Sequence, residues 1–233
     1  MALTPQSSDA FFREVDEELR REQITGFWKN YGKWIAMIVA AGLLSFGGYL
    51  WWTHHSQQRA GVEGEQLAAA LDDLTRNQPD KAKVALDALV DSKSAGYRAA
   101  ARLSLADVAM QKDDLKGAAA AFKAIAEDET LGKPYRDVAL IRQTAAEYDT
   151  VAPDVVIARL KPLAVPGNPW FGSAGEMVAM AYMKQNKPQL AGPLFAAIGS
   201  DPGVPRTIRS RAVQMAGILG IETADPSNES AAK

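Results

Sequence analysis

The chain has two histidines, and they are neighbours, His54 and His55. It has no cysteine. Thiolate metal sites, disulfides and a cysteine nucleophile are therefore excluded, and any histidine-based triad or zinc site would have to be built on that pair. Metal binding or pH sensing is one reading of the two histidines. The other is a polar pair at an interface, which the lack of a third ligand nearby in sequence favours. Paired acids would offer a second chemistry, general acid and base work. They occur at Asp72-Asp73, Asp113-Asp114 and Glu127-Asp128-Glu129. Each cluster sits among other charges or turn residues, where a solvated helix face or a turn accounts for it. Apart from the His54-His55 pair, no histidine is within reach of a serine, and no glycine-rich phosphate loop is present. No catalytic residue, metal set or cofactor site is predicted, and the protein is expected not to be an enzyme. With a net charge of −2 and no long block of like charges, nucleic acid is not expected as a partner.

Beside the histidines lies the longest apolar run in the chain. From Trp34 to Trp52 there is no charged residue. As a helix this run spans about 28 Å, close to the hydrocarbon thickness of a bilayer. It has no polar stripe of the kind a soluble helix shows. Trp28, Tyr31, Lys33 and Trp34 flank one end, and Tyr49, Trp51 and Trp52 flank the other. Amphipathic aromatics at both ends suit the headgroup level of a membrane. Gly42, Ser45 and Gly48 put small residues near one face, which would admit a helix partner. The run is too long for a signal-peptide core, and WWTHHSQQ has no small-x-small cleavage site. Residues 34–52 thus read as a retained signal-anchor. Arg13, Arg20, Arg21, Lys29 and Lys33 precede it, whereas Arg59 is alone at a similar distance after it. The positive-inside rule then puts the N-terminus in the cytoplasm and residues 53–233 across the membrane, which in a Gram-negative-type cell is the periplasmic side of the inner membrane.

Residues 1–33 read as a cytoplasmic amphipathic segment. Phe11, Phe12, Val15 and Leu19 share one helical side, and Ile24, Phe27, Trp28 and Tyr31 continue the apolar face past an expected break at Gly26. This face suits the inner membrane surface or a docking partner. Residues 53–63 read as a juxtamembrane linker helix.

From residue 64 to 221 nearly every segment has helical periodicity, and a pattern recurs. It appears as Ala82-x3-Leu86-x2-Leu89, then Ala118-x3-Phe122-x2-Ile125, Val156-x3-Leu160-x2-Leu163 and Ala191-x3-Phe195-x2-Ile198. The large apolar residues at 86, 122, 160 and 195 are separated by 36, 38 and 35 positions. Leu105-Ala106-x2-Ala109 and Val178-Ala179-x2-Tyr182 precede two of the copies. Turn signals containing Asn, Asp, Pro or Gly fall between the segments. The A-x3-F spacing resembles the second helix of tetratricopeptide repeats, and the preceding pairs resemble the first helix, with alanine in place of glycine. The expected fold is all-α: one N-terminal transmembrane helix, then a tetratricopeptide-like α-solenoid of about four hairpins, closed by a helix near 206–219. The polar tail at 222–233 is expected to be disordered.

Met177, Met180, Met183 and Tyr182 admit two readings. Most of their spacings favour a core face against a neighbouring helix, while methionines in a groove would form an adaptable binding surface.

The order of these parts carries a closer resemblance. A cytoplasmic segment leads through Tyr31-Gly32-Lys33 to one apolar span. The span ends in Gly48-x2-Trp51-Trp52, and Ser56-Gln57-Gln58 then enters the repeats. This arrangement is similar to the family of ancillary SecYEG translocon subunits. The resemblance implies association with the translocon beside a membrane-anchored periplasmic chaperone, with unfolded or nascent secreted proteins as clients and the lipid bilayer around the anchor. The segment DAFFREVDEELRREQ is longer than in that family. Two other functions stay open: a scaffold for envelope or cell-division machinery without clients, and a regulator that sequesters a cytoplasmic signalling protein.

Overall fold

A computed structural model describes residues 6–222, and the side chains of residues 32–222 except Ser56, Gln57 and Arg59. Among the described residues all regular structure is helical. The tail beyond Glu222 and the side chains of the amphipathic N-terminal segment, Trp28 and Tyr31 included, lie outside the described residues. The chain divides into two units, residues 1–61 and residues 62–233.

Helix α1 spans Gln6–Thr75 and passes through Gly26, where the sequence led us to expect a break. No proline interrupts the chain between Pro5 and Pro79, so every residue between them has an amide to donate. A single glycine costs only about 1 kcal/mol relative to alanine, and the neighbouring turns carry the helix through it. In the first unit, Trp34, Leu43, Leu44 and Phe46 are all exposed, with Leu44 at 79%. Among the described residues this is the one helix long and apolar enough to cross a membrane.

The second unit is built of hairpins. The end of α1 packs on α2 (Pro79–Asp87) through Leu67, Ala70 and Leu74, and α3 (Ala95–Gln111) pairs with α4 (Leu115–Glu127), α5 (Lys133–Glu147) with α6 (Pro153–Leu160), and α7 (Phe171–Lys184) with α8 (Pro188–Ser200). Helix α9 (Arg206–Ile218) then packs on α7 and α8. These are the four hairpins and closing helix that the repeat spacing predicts. Proline stands at the first position of α2, α6 and α8, where its missing amide has no helical partner to lose and its fixed φ is already helical. Three hairpin turns are closed by a left-handed residue, Asn77 (φ 58°), Asp113 (φ 62°) and Asn186 (φ 56°). Asn and Asp tolerate this conformation better than other non-glycine residues, and there they end one helix and release the next. The third hairpin has no left-handed residue. Its turn closes with Thr150 donating to the Glu147 carbonyl from both its amide, at 2.8 Å, and its hydroxyl, at 2.9 Å.

The register of the hairpins is set by small residues. Ala70, Ala106, Thr144 and Ala179 are each 0–1% exposed, and each lies twelve positions before Ala82, Ala118, Val156 or Ala191, which are equally buried. Small side chains at both places let the two helices approach, and Leu86, Phe122, Leu160 and Phe195 fill the space beyond. Each large residue centres its own apolar cluster, and the four clusters follow one another along the unit. A core divided this way is expected of stacked repeats, in which each hairpin contacts mainly its neighbours. The closing helix also packs closely. A Cβ on Gly199 would lie 2.7 Å from Val213 Cγ2, so glycine is what lets α9 settle against α8.

Candidate protein-binding groove

The residues with chemical potential are occupied by structural tasks. The His55 ring stacks on Trp51, with centroids 5.6 Å apart and planes 1° from parallel. His54 Nε2 lies 3.1 Å from Gln58 Nε2. Both histidines are exposed on α1, and among the described residues no three of His, Cys, Asp and Glu converge as a metal site would require. Asp72 pairs with Arg76 at 2.7 Å. Asp113 is one of the left-handed turn residues, and Asp114 caps α4 by accepting from the Gly117 amide at 2.8 Å. Asp128 accepts from the Thr130 hydroxyl at 2.6 Å, the Thr130 amide at 2.9 Å and Arg102 at 2.9 Å. Those bonds, led by the hydroxyl, hold its carboxyl below the usual range.

The repeat-signature residues face inward. Ala82, Leu86 and Leu89, Ala106, Ala118, Phe122 and Ile125, Val156, Leu160 and Leu163, and Ala179, Ala191, Phe195 and Ile198 are buried. Leu105, Ala109 and Tyr182 are partly buried against the same clusters. None of them offers a ligand a free surface, so a binding face must come from the positions between them. At the anchor, Lys33, Trp34, Tyr49, Trp51 and Trp52 are exposed.

Those intervening positions form a groove where the first helices of successive hairpins run side by side. A cavity of about 570 Å³ lies among α5, α7 and α9. Its apolar lining includes Ala145 from α5 and Tyr148 at its C-terminal cap, Met177 and Met180 from α7, and Met215 from α9. The methionines named in the sequence separate here. Met183 and Tyr182 pack on the cluster around Phe195, and Met177 is partly buried beside Leu160. Met180 remains 38% exposed in the groove. Thioether side chains have three rotatable bonds and a polarizable sulfur, so they conform to side chains of different shape.

Ion pairs border this apolar stretch. Arg211 donates to both carboxylate oxygens of Glu176, at 2.8 and 2.7 Å. Lys184 Nζ donates to Asp149 at 3.2 Å and stands 4.0 Å over the Tyr148 ring. Burial, and then the charge of Asp149, push the Tyr148 phenol up from its ordinary value, so it stays protonated. One hairpin earlier, Arg142 of α5 pairs with Asp107 of α3. Burial raises the Asp107 carboxyl, and Arg142 offsets only part of that effect. Along the first helices the surface thus runs from an ion pair through a methionine-lined stretch to a second ion pair. Each partner lies 35 residues from the other, one repeat apart. An extended segment with an apolar side chain between polar ones would match that sequence of surfaces. No acid-base pair or nucleophile is assembled in the groove.

Sequence reasoning did not identify Ala70 or Thr144 as members of the small-residue register. The signal was available, twelve positions before each second-helix copy. Met180 is among four candidates in the sequence, but its spacing there favours the core, because exposure on one side of α7 depends on how α9 stacks.

A family profile described as a tetratricopeptide repeat-like domain matches residues 25–193. The matched stretch begins ahead of the apolar span and ends at Pro193 within α8, so the whole of α9 lies beyond it. No curated protein and no solved structure matches the chain. Hairpin register, left-handed turns and profile agree over more than half of the chain: the protein belongs to the tetratricopeptide repeat-like domain family.

Proposed function

We propose that this protein is a single-pass inner-membrane protein with its N-terminus in the cytoplasm. Its periplasmic repeats receive secreted chains as they leave the Sec translocon and pass them to a membrane-anchored chaperone. As a member of a protein-interaction family it is a binding module, and the finer reading rests on what the module is attached to. The observation that carries it is the methionine-lined groove in a chain that also holds an uncharged, exposed helix of bilayer length. A groove bordered by ion pairs and lined by adaptable side chains suits many sequences at modest affinity. An anchor beside the exit of a channel raises the effective concentration of that groove, so weak affinity for each client suffices. The excess of cations before residue 34 and the resemblance to ancillary translocon subunits supply the orientation and the channel.

The test is a photocrosslinking residue at position 180 in the full chain in cells. Many nascent secreted chains, together with the channel, should be trapped. A single stable partner at that position would reject client handover in favour of a fixed scaffold. A reporter fused after Lys233 that is active only in the cytoplasm would reject the orientation.

A further inference from the structure

A second cleft, of about 550 Å³, lies among α4, α5 and α6. On α5 it uses Lys133, Arg136, Leu140 and Gln143. Helical spacing puts these on the other face of α5 from Ala145 and Tyr148, so this cleft does not belong to the methionine groove. Lys123, Lys133, Arg136 and Arg159 bring four cations to it, against the two acids Glu127 and Asp137.

Three of the cations have anionic partners within the protein. Lys133 pairs with Asp137 at 2.5 Å, Lys123 stands 3.9 Å from Glu127, and Arg159 pairs with Glu147. Arg136 differs. Its Nε is buried and has no acceptor among the described residues. A guanidinium whose Nε has lost water without gaining an acceptor is held at a cost, and an anion on its outer nitrogens would offset part of that cost. Beside it, Gln143 is 4% exposed and is held by a 3.3 Å bond from its amide to Glu147, so this wall of the cleft is fixed.

We propose that this cleft binds a carboxylate of an acidic, partly apolar segment of a partner protein, at a site separate from the groove. A planar guanidinium takes a carboxylate through two parallel hydrogen bonds, with Lys123 and Arg159 adding positive potential. Ala126 and Leu140 receive an apolar neighbour of the acid. With Lys133, Lys123 and Arg159 each paired to an acid, one unpaired cation, Arg136, selects the occupant. Glu127 and Asp137 repel a dianionic phosphate or a polyanion far more than a single carboxylate.

The full chain is reconstituted in nanodiscs of phosphatidylcholine, and binding of a fluorescein-labelled peptide of alternating glutamate and leucine is followed by anisotropy. Its glutamine counterpart serves as control. The glutamate peptide should bind about tenfold more tightly or better, and added salt should erode the difference. Arg136→Gln should abolish the discrimination, and Arg136→Lys should keep part of it. If Arg136→Gln alters the far-UV circular dichroism, Lys123→Gln replaces it, with an expected loss of about threefold. Equal binding of the two peptides, or discrimination that survives both substitutions, overturns the proposal. Displacement of the peptide by phosphatidylglycerol vesicles but not by phosphatidylcholine vesicles also overturns it, in favour of a lipid headgroup.

Discussion

Thr144 is the position at which the repeat register can be tested most directly. It stands where the other three hairpins have alanine, is fully buried, and donates its hydroxyl to the Leu140 carbonyl at 2.8 Å. Thr144→Ala removes a buried methyl worth about 0.8 kcal/mol. It also removes a hydrogen bond with a net value of about 0.5–1.5 kcal/mol. The Leu140 carbonyl keeps its helical amide partner, so no orphaned acceptor is left. Alanine returns roughly 0.5 kcal/mol through helix propensity. The balance is a loss of about 1–2 kcal/mol, the residual cavity tending to the upper figure. Thr144→Val loses the bond but fills the same space and should cost about 0.5–1 kcal/mol. Thr144→Leu overpacks the approach of α5 and α6 and should cost about 1–3 kcal/mol. Stacked repeats open locally, so amide hydrogen exchange resolved to α5 is the appropriate assay. The alanine variant should speed exchange there by roughly fivefold to thirtyfold and leave α2 nearly unchanged. Equal losses in Thr144→Ala and Thr144→Val would show that the hydroxyl, not the volume, is what the position requires, and the register argument would fail.

Four further outcomes are expected. Full burial of a methionine contributes about 1.5–3 kcal/mol, so covering the exposed 38% of Met180 contributes about 0.6–1.1 kcal/mol. Met180→Ala should therefore weaken binding of an unfolded, carboxymethylated client protein by roughly threefold to sixfold at a temperature where it remains folded, with a lowered melting temperature from the part of the side chain already buried, and Met180→Leu should restore both. The Asp107 carboxyl is raised above its ordinary value of 3.8, so the folded state holds its proton more tightly than the unfolded state; its effect favours folding as pH falls through the folded value and opposes folding at neutral pH. Asp107→Asn should thus leave neutral stability unchanged or higher in thermal melts and flatten that acid-side gain. Asp128 has the opposite sign: its depressed carboxyl contributes stability above 3.8 that is lost as pH falls through the folded value, so Asp128→Asn should lower the melting temperature at neutral pH and converge with the parent in acid. Gly199→Leu should push Val213 away, at a cost of about 1–3 kcal/mol, and raise hydrogen exchange in α9 before any other helix.

Two kinds of information were legible along the chain. Signals that repeat or accumulate locally could be read directly. The uncharged run from Trp34 to Trp52 is a property of consecutive residues, and the copies at Leu86, Phe122, Leu160 and Phe195 are a property of spacing. Hairpin count, helix-starting prolines and the buried signature positions follow from such signals, because a helix of fixed pitch brings residues three and four apart to one face. Gly26 shows the limit of a local rule: glycine lowers helix propensity, yet α1 continues through it because the turns on either side sustain the hydrogen bonds.

The binding faces needed the tertiary structure. Whether Met180 is core or surface depends on the angle at which α9 stacks on α7, and no local pattern on α7 contains that angle. Glu176 with Arg211, and Asp107 with Arg142, are pairs 35 residues apart that meet only when neighbouring hairpins stack in register. The unpartnered Nε of Arg136 is visible only once every acid around it has been assigned to another cation. Sequence alone determined that this chain is an apolar helix followed by stacked hairpins, since periodicity and composition are sums over neighbours. Stacking decided which side chains were left uncovered and which charges were left unpaired, since each is what remains after all contacts between distant residues have been made.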